Sequence, residues 1–150
     1  MKLVLIAIIM LAFAGAVDSG YALNQHYAPP DLSSCDFNET ISCTAVNQSK
    51  YSEVAGIPVA GIGIAGYLMF VLFAGIALVK PRKARMMFKL LALTSLGGFL
   101  VALCLTYIEL FVLKAVCPLC VISQALIAII MSLSWASALR NRFLRPQRSG

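Results

Sequence analysis

The chain alternates long apolar stretches with short polar ones. Ile57–Val79 runs for 23 residues without a charge. At about 1.5 Å per residue, a helix of that length reaches the ~30 Å of a hydrocarbon core. Phe88–Leu113 is a second such run, interrupted by Lys89 near one end and Glu109 near the other, and a third starts at AVCPLCVISQ (115–124) and ends at Leu139. Leu3–Val17 is shorter. Its early lysine, apolar centre and small residues Ala12, Ala14 and Ala16 suit a spanning helix and equally a secretory signal peptide. The pattern predicts an all-α integral membrane protein with spans at 3–20, 57–79, 88–113 and 117–139. An outer loop (21–56), a turn (80–87) and a tail (140–150) join and follow them. No internal repeat or low-complexity stretch interrupts this order.

Composition excludes a soluble domain. Hydrophobic residues make up 61% of the chain and charged residues 12%, where soluble domains carry roughly 25% charge. The charges that remain are sorted. Lys80, Arg82, Lys83, Arg85 and Lys89 crowd one turn, Arg140, Arg142, Arg145 and Arg148 follow the last span, and Lys2 opens the first. Lys50 and Lys114 are the other two of the twelve basic residues, and all six acids (Asp18, Asp31, Asp36, Glu39, Glu53, Glu109) share their side or lie near its boundary. By the positive-inside rule both termini and the 80–89 turn are cytoplasmic. Segment 18–56 and the turn near 114 then face a periplasm or an equivalent oxidising lumen. The net charge of +6 reads as topology and attraction to anionic lipid, not as nucleic-acid binding.

Four of the five cysteines fall on that oxidising side, where disulfides persist. Cys35 and Cys43 lie in the outer loop, and Cys117 and Cys120 at the outer end of the last span. Cys104, about nine residues inside its span, reads as a small buried hydrophobe. Pro118 suits the first helical position, which makes Cys117 the N-cap. There the helix dipole, with Lys114 three residues upstream, favours the thiolate, the nucleophilic form. Cys120 lies one turn deeper. This geometry predicts that the outer sulfur exchanges with thiols while the inner one meets something dissolved in lipid. A structural bridge or half a zinc site is the bland alternative, but zinc wants four ligands, and His26 reads as an ordinary loop residue. The Cys35/Cys43 spacing alone would suit a stabilising disulfide. Beside a helix-end dithiol it reads as a relay, because disulfide exchange moves electrons stepwise through mixed disulfides.

The sequence SSCDFNETISCTAVNQSKYSEVAGIP (33–58), with a serine six residues after the second cysteine, followed by the helix-end C-x-x-C, resembles the vitamin K epoxide reductase family over nearly the whole chain. Gly56-Ile57-Pro58 and the Cys-Pro-x-Cys pair are similar to its bacterial branch. The resemblance implies a four-transmembrane-helix bundle around a quinone (ubiquinone or menaquinone), with the first helix retained. It implies a thiol-disulfide oxidoreductase that reoxidises a secreted thioredoxin-fold (DsbA-like) partner in support of disulfide-bond formation. Cys35 and Cys43 match the family's shuttle pair, Cys117 and Cys120 its active-site pair, and Ser49 its hydroxyl near the quinone. The chain ends at RPQRSG without a fused thioredoxin-like domain, so the partner is expected to be a separate protein. Gln124 stands where the animal enzymes have a tyrosine, four residues after the last cysteine. Its amide suits a quinone carbonyl but puts epoxide reduction in doubt.

Gln124 and Cys120, at i and i+4, share a helix face. Polar groups in a spanning helix tend to face the bundle interior, as a quinone ligand or as a helix–helix hydrogen bond. For Ser49 the alternative is a hydroxyl that turns the loop; Glu109 is placed to relay protons or to snorkel to the interface. GIGIAG (61–66) fits a dinucleotide fingerprint by letter only and reads as close helix packing. Asn38-Glu-Thr and Asn47-Gln-Ser are glycosylation sequons by letter, and Trp135 reads as an interface anchor. The rival functions are a vitamin K epoxide or quinone reductase, a thiol-based membrane metal carrier, and a structural subunit with two disulfides.

Overall fold

The computed structural model describes residues 1–29, 35–38 and 40–143, and the side chains of all of these but 141–143. Asp31, Glu39, Arg145 and Arg148, the tail beyond Phe143 and the Arg142 side chain lie outside the described residues. Four long helices form the protein: α1 (Lys2–Tyr27), α3 (Val59–Val79), α4 (Ala84–Ile108) and α5 (Pro118–Phe143). All four are long and apolar enough to cross a membrane. The five-residue α2 (Cys43–Asn47) and the two-residue strands β1 (Glu53–Val54) and β2 (Ile57–Pro58) lie between α1 and α3.

The helices pack in the ring order α1, α3, α4, α5 and back to α1. Steps of three and four residues explain which faces meet. Leu5, Ile8 and Ala12 are buried on α1; Tyr67, Phe70, Ala74 and Ala77 on α3; Met87, Phe88 and Leu91 on α4; Ile127 and Ile130 on α5. Between these stripes the outward positions stay apolar, as at Leu68, Leu72, Leu93 and Leu100, which is how a bundle dissolved in lipid differs from one dissolved in water. Cys104 belongs to that outer surface; it is exposed and not buried as its sequence context predicts. Trp135 is exposed as well.

α1 continues to Tyr27, past the expected boundary at residue 20. Hydropathy marks where the lipid ends, but a helix ends where its backbone must turn. Here Ala28 is extended (φ −73°, ψ 149°), as the residue before a proline tends to be. His26 is therefore a helical residue in the last turn of α1, and Asp18 lies about two and a half turns inside the helix. At the other side of the loop, Glu53↔Pro58 and Val54↔Ile57 pair around Ala55 (φ 54°) and Gly56 (φ 80°). Two positive φ values in succession define the tight turn that joins such strands. The hairpin ends at Pro58, directly before α3.

Small residues let α1 and α3 approach, though not where the GIGIAG pattern points. A Cβ on Gly61 or Gly66 would meet nothing within 4 Å, and one on Gly63 would lie 3.0 Å from Ser19 Oγ. The tight contact is Gly15, where a Cβ would sit 2.3–2.7 Å from the Tyr67 ring. That ring cannot swing away freely, because its hydroxyl bonds Ser123 Oγ at 2.8 Å and the Ser123 carbonyl at 2.9 Å. Gly15→Ala is expected to cost about 1–3 kcal/mol through overpacking, whereas Gly75→Ala, with open space around it, should leave stability unchanged or slightly raised. Thermal unfolding of the two variants in the same detergent checks the difference.

Candidate redox site

The last turn before α5 does not remain α-helical. Glu109–Leu113 forms a π turn, and Lys114 adopts the left-handed conformation (φ 52°, ψ 28°), with the Ala115 N–H bonding the Glu109 carbonyl at 3.1 Å. Single π turns inside helices are frequent at functional sites. The chain then reverses and presents an extended Val116. Val116 N–H donates to the Thr40 carbonyl at 2.8 Å, and its own carbonyl accepts from Ser42 N–H at 3.2 Å, making a one-residue parallel bridge between Ile41 and Val116.

That bridge brings the cysteines together. Asp36 accepts from Ser42 Oγ at 2.8 Å and from Thr44 N–H at 3.0 Å, and Ser42 caps α2 through the Ala45 N–H at 3.1 Å. Cys43 is thereby fixed at the start of α2, one residue past Ser42, and Cys117 follows Val116. Cys43 and Cys117 are both 0% exposed, and their sulfurs are 3.5 Å apart. Cys35 is disulfide-bonded to Cys43 and half-buried, while Cys117 and Cys120 are free thiols. Of the loop pair, Cys43 is the member that meets the helix pair.

Cys117 precedes Pro118 at the start of α5, and its carbonyl accepts the first helical bond from Val121 N–H at 3.2 Å. The Cys120 thiol, hydrogen-bonded to the Cys117 sulfur, pulls its pKa below the usual thiol value. Burial and the Glu109 carboxylate act against this, and the backbone N–H groups of Cys120 and Leu119 act with it. Lys114, which the sequence places upstream as a helper, is exposed. Glu109 does not snorkel. It is 3% exposed, its Oε2 accepts from Cys117 N–H at 3.2 Å, and its carboxyl also meets the Cys120 thiol.

Below the sulfurs a cavity of about 290 Å³ opens between the helices. Cys120, Glu109, Gln124, Ser49, Tyr67 and Asp18 are among its lining residues, and most of the rest are apolar. Gln124 makes the helix–helix bond, accepting at Oε1 from Thr106 Oγ1 at 2.6 Å, and its side chain is among those lining the cavity. Ser49 spends its hydroxyl hydrogen on the Val46 carbonyl at 2.8 Å. Sequence reasoning missed His26 and Asn47, both polar loop-end residues that docking buries. His26 bonds the Asn47 carbonyl, Glu53 at 3.1 Å and Ser52 at 3.3 Å. Asn47, a sequon by letter, is buried against Cys117. Their proximity in sequence to the cysteine loop was the available signal.

Two cysteine pairs in contact, one of them above an apolar cavity in a helical bundle, define a membrane thiol-disulfide site. The chain belongs to the vitamin K epoxide reductase family, whose model matches residues 6–135; it is accordingly a membrane thiol oxidoreductase. No curated protein matches the chain.

The acidity of Cys117 yields a test. Because the thiolate is the charged form, a lowered pKa keeps it populated to lower pH. Cys120→Ala removes the main stabilising bond, so the pH profile of Cys117 alkylation by iodoacetamide in reduced protein is expected to move to higher pH.

Proposed function

We propose that the protein takes electrons from a secreted thioredoxin-fold (DsbA-like) protein through Cys35–Cys43, passes them to Cys117–Cys120, and delivers two of them to a membrane quinone. The observation that carries this reading is the 3.5 Å contact between the Cys43 and Cys117 sulfurs, the separation from which one pair can attack the other. The unequal burial of the loop pair supports an order. A partner thiolate reaches the half-buried Cys35, and Cys43, released as the leaving sulfur, faces Cys117. The bonded outer pair and free inner pair correspond to the stage at which the electrons have reached Cys117 and Cys120.

The cavity fits a quinone head group: it is mostly apolar, has Cys120 at its edge, and offers polar groups at only a few points, as small-molecule sites do. A bound quinone supplies an acceptor for two electrons and two protons. Cys120 holds the reducing thiol at the cavity edge, and Gln124 offers its NH2 to a carbonyl. Ser49 can do the same once its hydroxyl releases Val46. A DsbA-class protein, at roughly −120 mV, needs a terminal acceptor of higher potential. Among the described residues Lys2, Lys80, Arg82, Lys83, Arg85, Lys89 and Arg140 lie at the helix ends away from the cysteines, which supports a bacterial inner membrane with the sulfur sites on the periplasmic side.

With purified protein under anaerobic conditions, Cys117→Ala or Cys120→Ala is expected to abolish quinone reduction. Cys35→Ala or Cys43→Ala should stop oxidation of a thioredoxin-fold partner yet leave turnover with a small lipophilic dithiol, read as quinone absorbance loss. Loop variants as inactive with the dithiol as the helix variants would rule out the relay. In a Cys35→Ala, Cys120→Ala double variant, a Cys43–Cys117 disulfide should accumulate and be found by peptide mass mapping.

A further inference from the structure

Asn47 is the last residue of α2, the helix that Cys43 begins, and only 7% of it is exposed. A side-chain amide nitrogen has two hydrogens to donate, and here both have an acceptor. Nδ2 donates to the Cys43 carbonyl at 3.0 Å and to the Cys117 sulfur at 3.5 Å. The first bond is local, four residues back along the chain. The second crosses from the loop to the start of α5. One nitrogen therefore spans the two residues whose sulfurs lie 3.5 Å apart.

The peptide that carries this amide is itself tied down. His26 Nδ1 donates to the Asn47 carbonyl, and the other ring nitrogen of His26 pairs with Glu53 at 3.1 Å. The neighbouring Gln48 donates its amide to the carbonyls of Gln25 at 3.1 Å and Ala28 at 2.7 Å. The end of α1 and the hairpin thus hold Asn47 from both sides. This also explains why α1 runs past the apolar stretch: its last, polar turn is the post to which the loop is fastened.

A buried thiolate has lost its water and must be repaid by fixed donors. The backbone N–H groups of Leu119 and Cys120 belong to α5 and stay with Cys117 whatever the loop does. Asn47 is different, because its donor arrives with Cys43. We propose that Asn47 is a catalytic residue of the transfer between the two cysteine pairs, its amide setting Cys43 against Cys117 and stabilising negative charge on the Cys117 sulfur as they exchange. The proposal rests on the function given above.

In the step itself the Cys43 thiolate attacks Cys117; the Cys43–Cys117 bond forms, the Cys117–Cys120 bond breaks, and the electron pair leaves on Cys120. The Cys35 thiolate then attacks Cys43, restoring Cys35–Cys43 and releasing Cys117 as a thiolate against the Asn47 amide. The two protons that leave Cys35 and Cys43 end on Cys117 and Cys120, so the outer pair is oxidised and the inner pair reduced by two electrons.

The test uses the full chain, free of quinone, with both pairs oxidised and a reduced DsbA-type thioredoxin-fold protein as the probe. After rapid mixing and acid quench, mass tags on the freed thiols time the arrival of electrons at Cys117 and Cys120. Asn47→Leu removes the donors at similar volume, and Asn47→Asp removes them and adds a charge. Transfer is expected to slow by about tenfold to a hundredfold in both, the range a lost hydrogen bond to a charged group gives. The alkylation profile of Cys117 in reduced protein, whose other titratable neighbours are Cys120, Glu109 and the Cys43 thiol freed by reduction, the same in all three proteins, should move to higher pH in the order Asn47, Leu, Asp. Structural damage alone would not produce that order, and formation of the Cys35–Cys43 disulfide identifies variants that have folded. Transfer at the wild-type rate in folded variants, or one profile shared by all three proteins, overturns the role of Asn47. Failure of the wild-type protein to label the inner pair overturns the function itself.

Discussion

Two backbone hydrogen bonds hold the chemistry of this protein in place. Val116 bonds Thr40 and Ser42, and through that short bridge a loop is laid against the beginning of the last helix. Sulfurs separated by 74 residues come into contact as a result. Backbone bonds suit this task because they fix position along the chain without depending on any side chain, and a slip of one residue would turn Cys43 away from Cys117. Asp36 and the Ser42 cap shape the loop side of the contact, and the π turn with left-handed Lys114 shapes the other.

The helical bundle supplies what the bridge cannot, a largely apolar space beneath the sulfurs. The helices meet along stripes of buried residues in their inner half, and the cavity opens towards the end where the loop sits. Carboxyl, amide and hydroxyl groups lining it are costly inside a membrane. Gln124 is tied to Thr106 on a neighbouring helix, and Glu109 is set against Cys117.

Much of this was legible in the sequence, and what was not has identifiable causes. The spans were visible because hydropathy records a bilayer's thickness, and the helix-end cysteine pair because Cys-x-x-Cys is a chemically narrow spacing; the loop pair gained meaning only beside it. The end of α1 was missed because Ala28 before Pro29 decides it, not hydropathy. The outward face of Cys104 was missed because α4 is apolar on every side, which hides which face packs. Lys114 looked like a continuation of the helix end by spacing, yet it takes the left-handed conformation and its side chain is exposed. His26 and Asn47 looked like solvated loop residues. Only the docking of the loop onto the helix ends buries them, and that is a tertiary event with no local signature.

The unequal burial of the loop disulfide has a further meaning. One sulfur is half-buried, and the other is sealed together with Cys117, so the proposed relay would work like an insulated conductor with a single accessible terminal. Hydrophilic low-molecular-weight thiols would meet only that terminal and could not short-circuit the deeper couple. Current would then flow from proteins able to engage Cys35, and the membrane's pool of oxidising equivalents would be reserved for them.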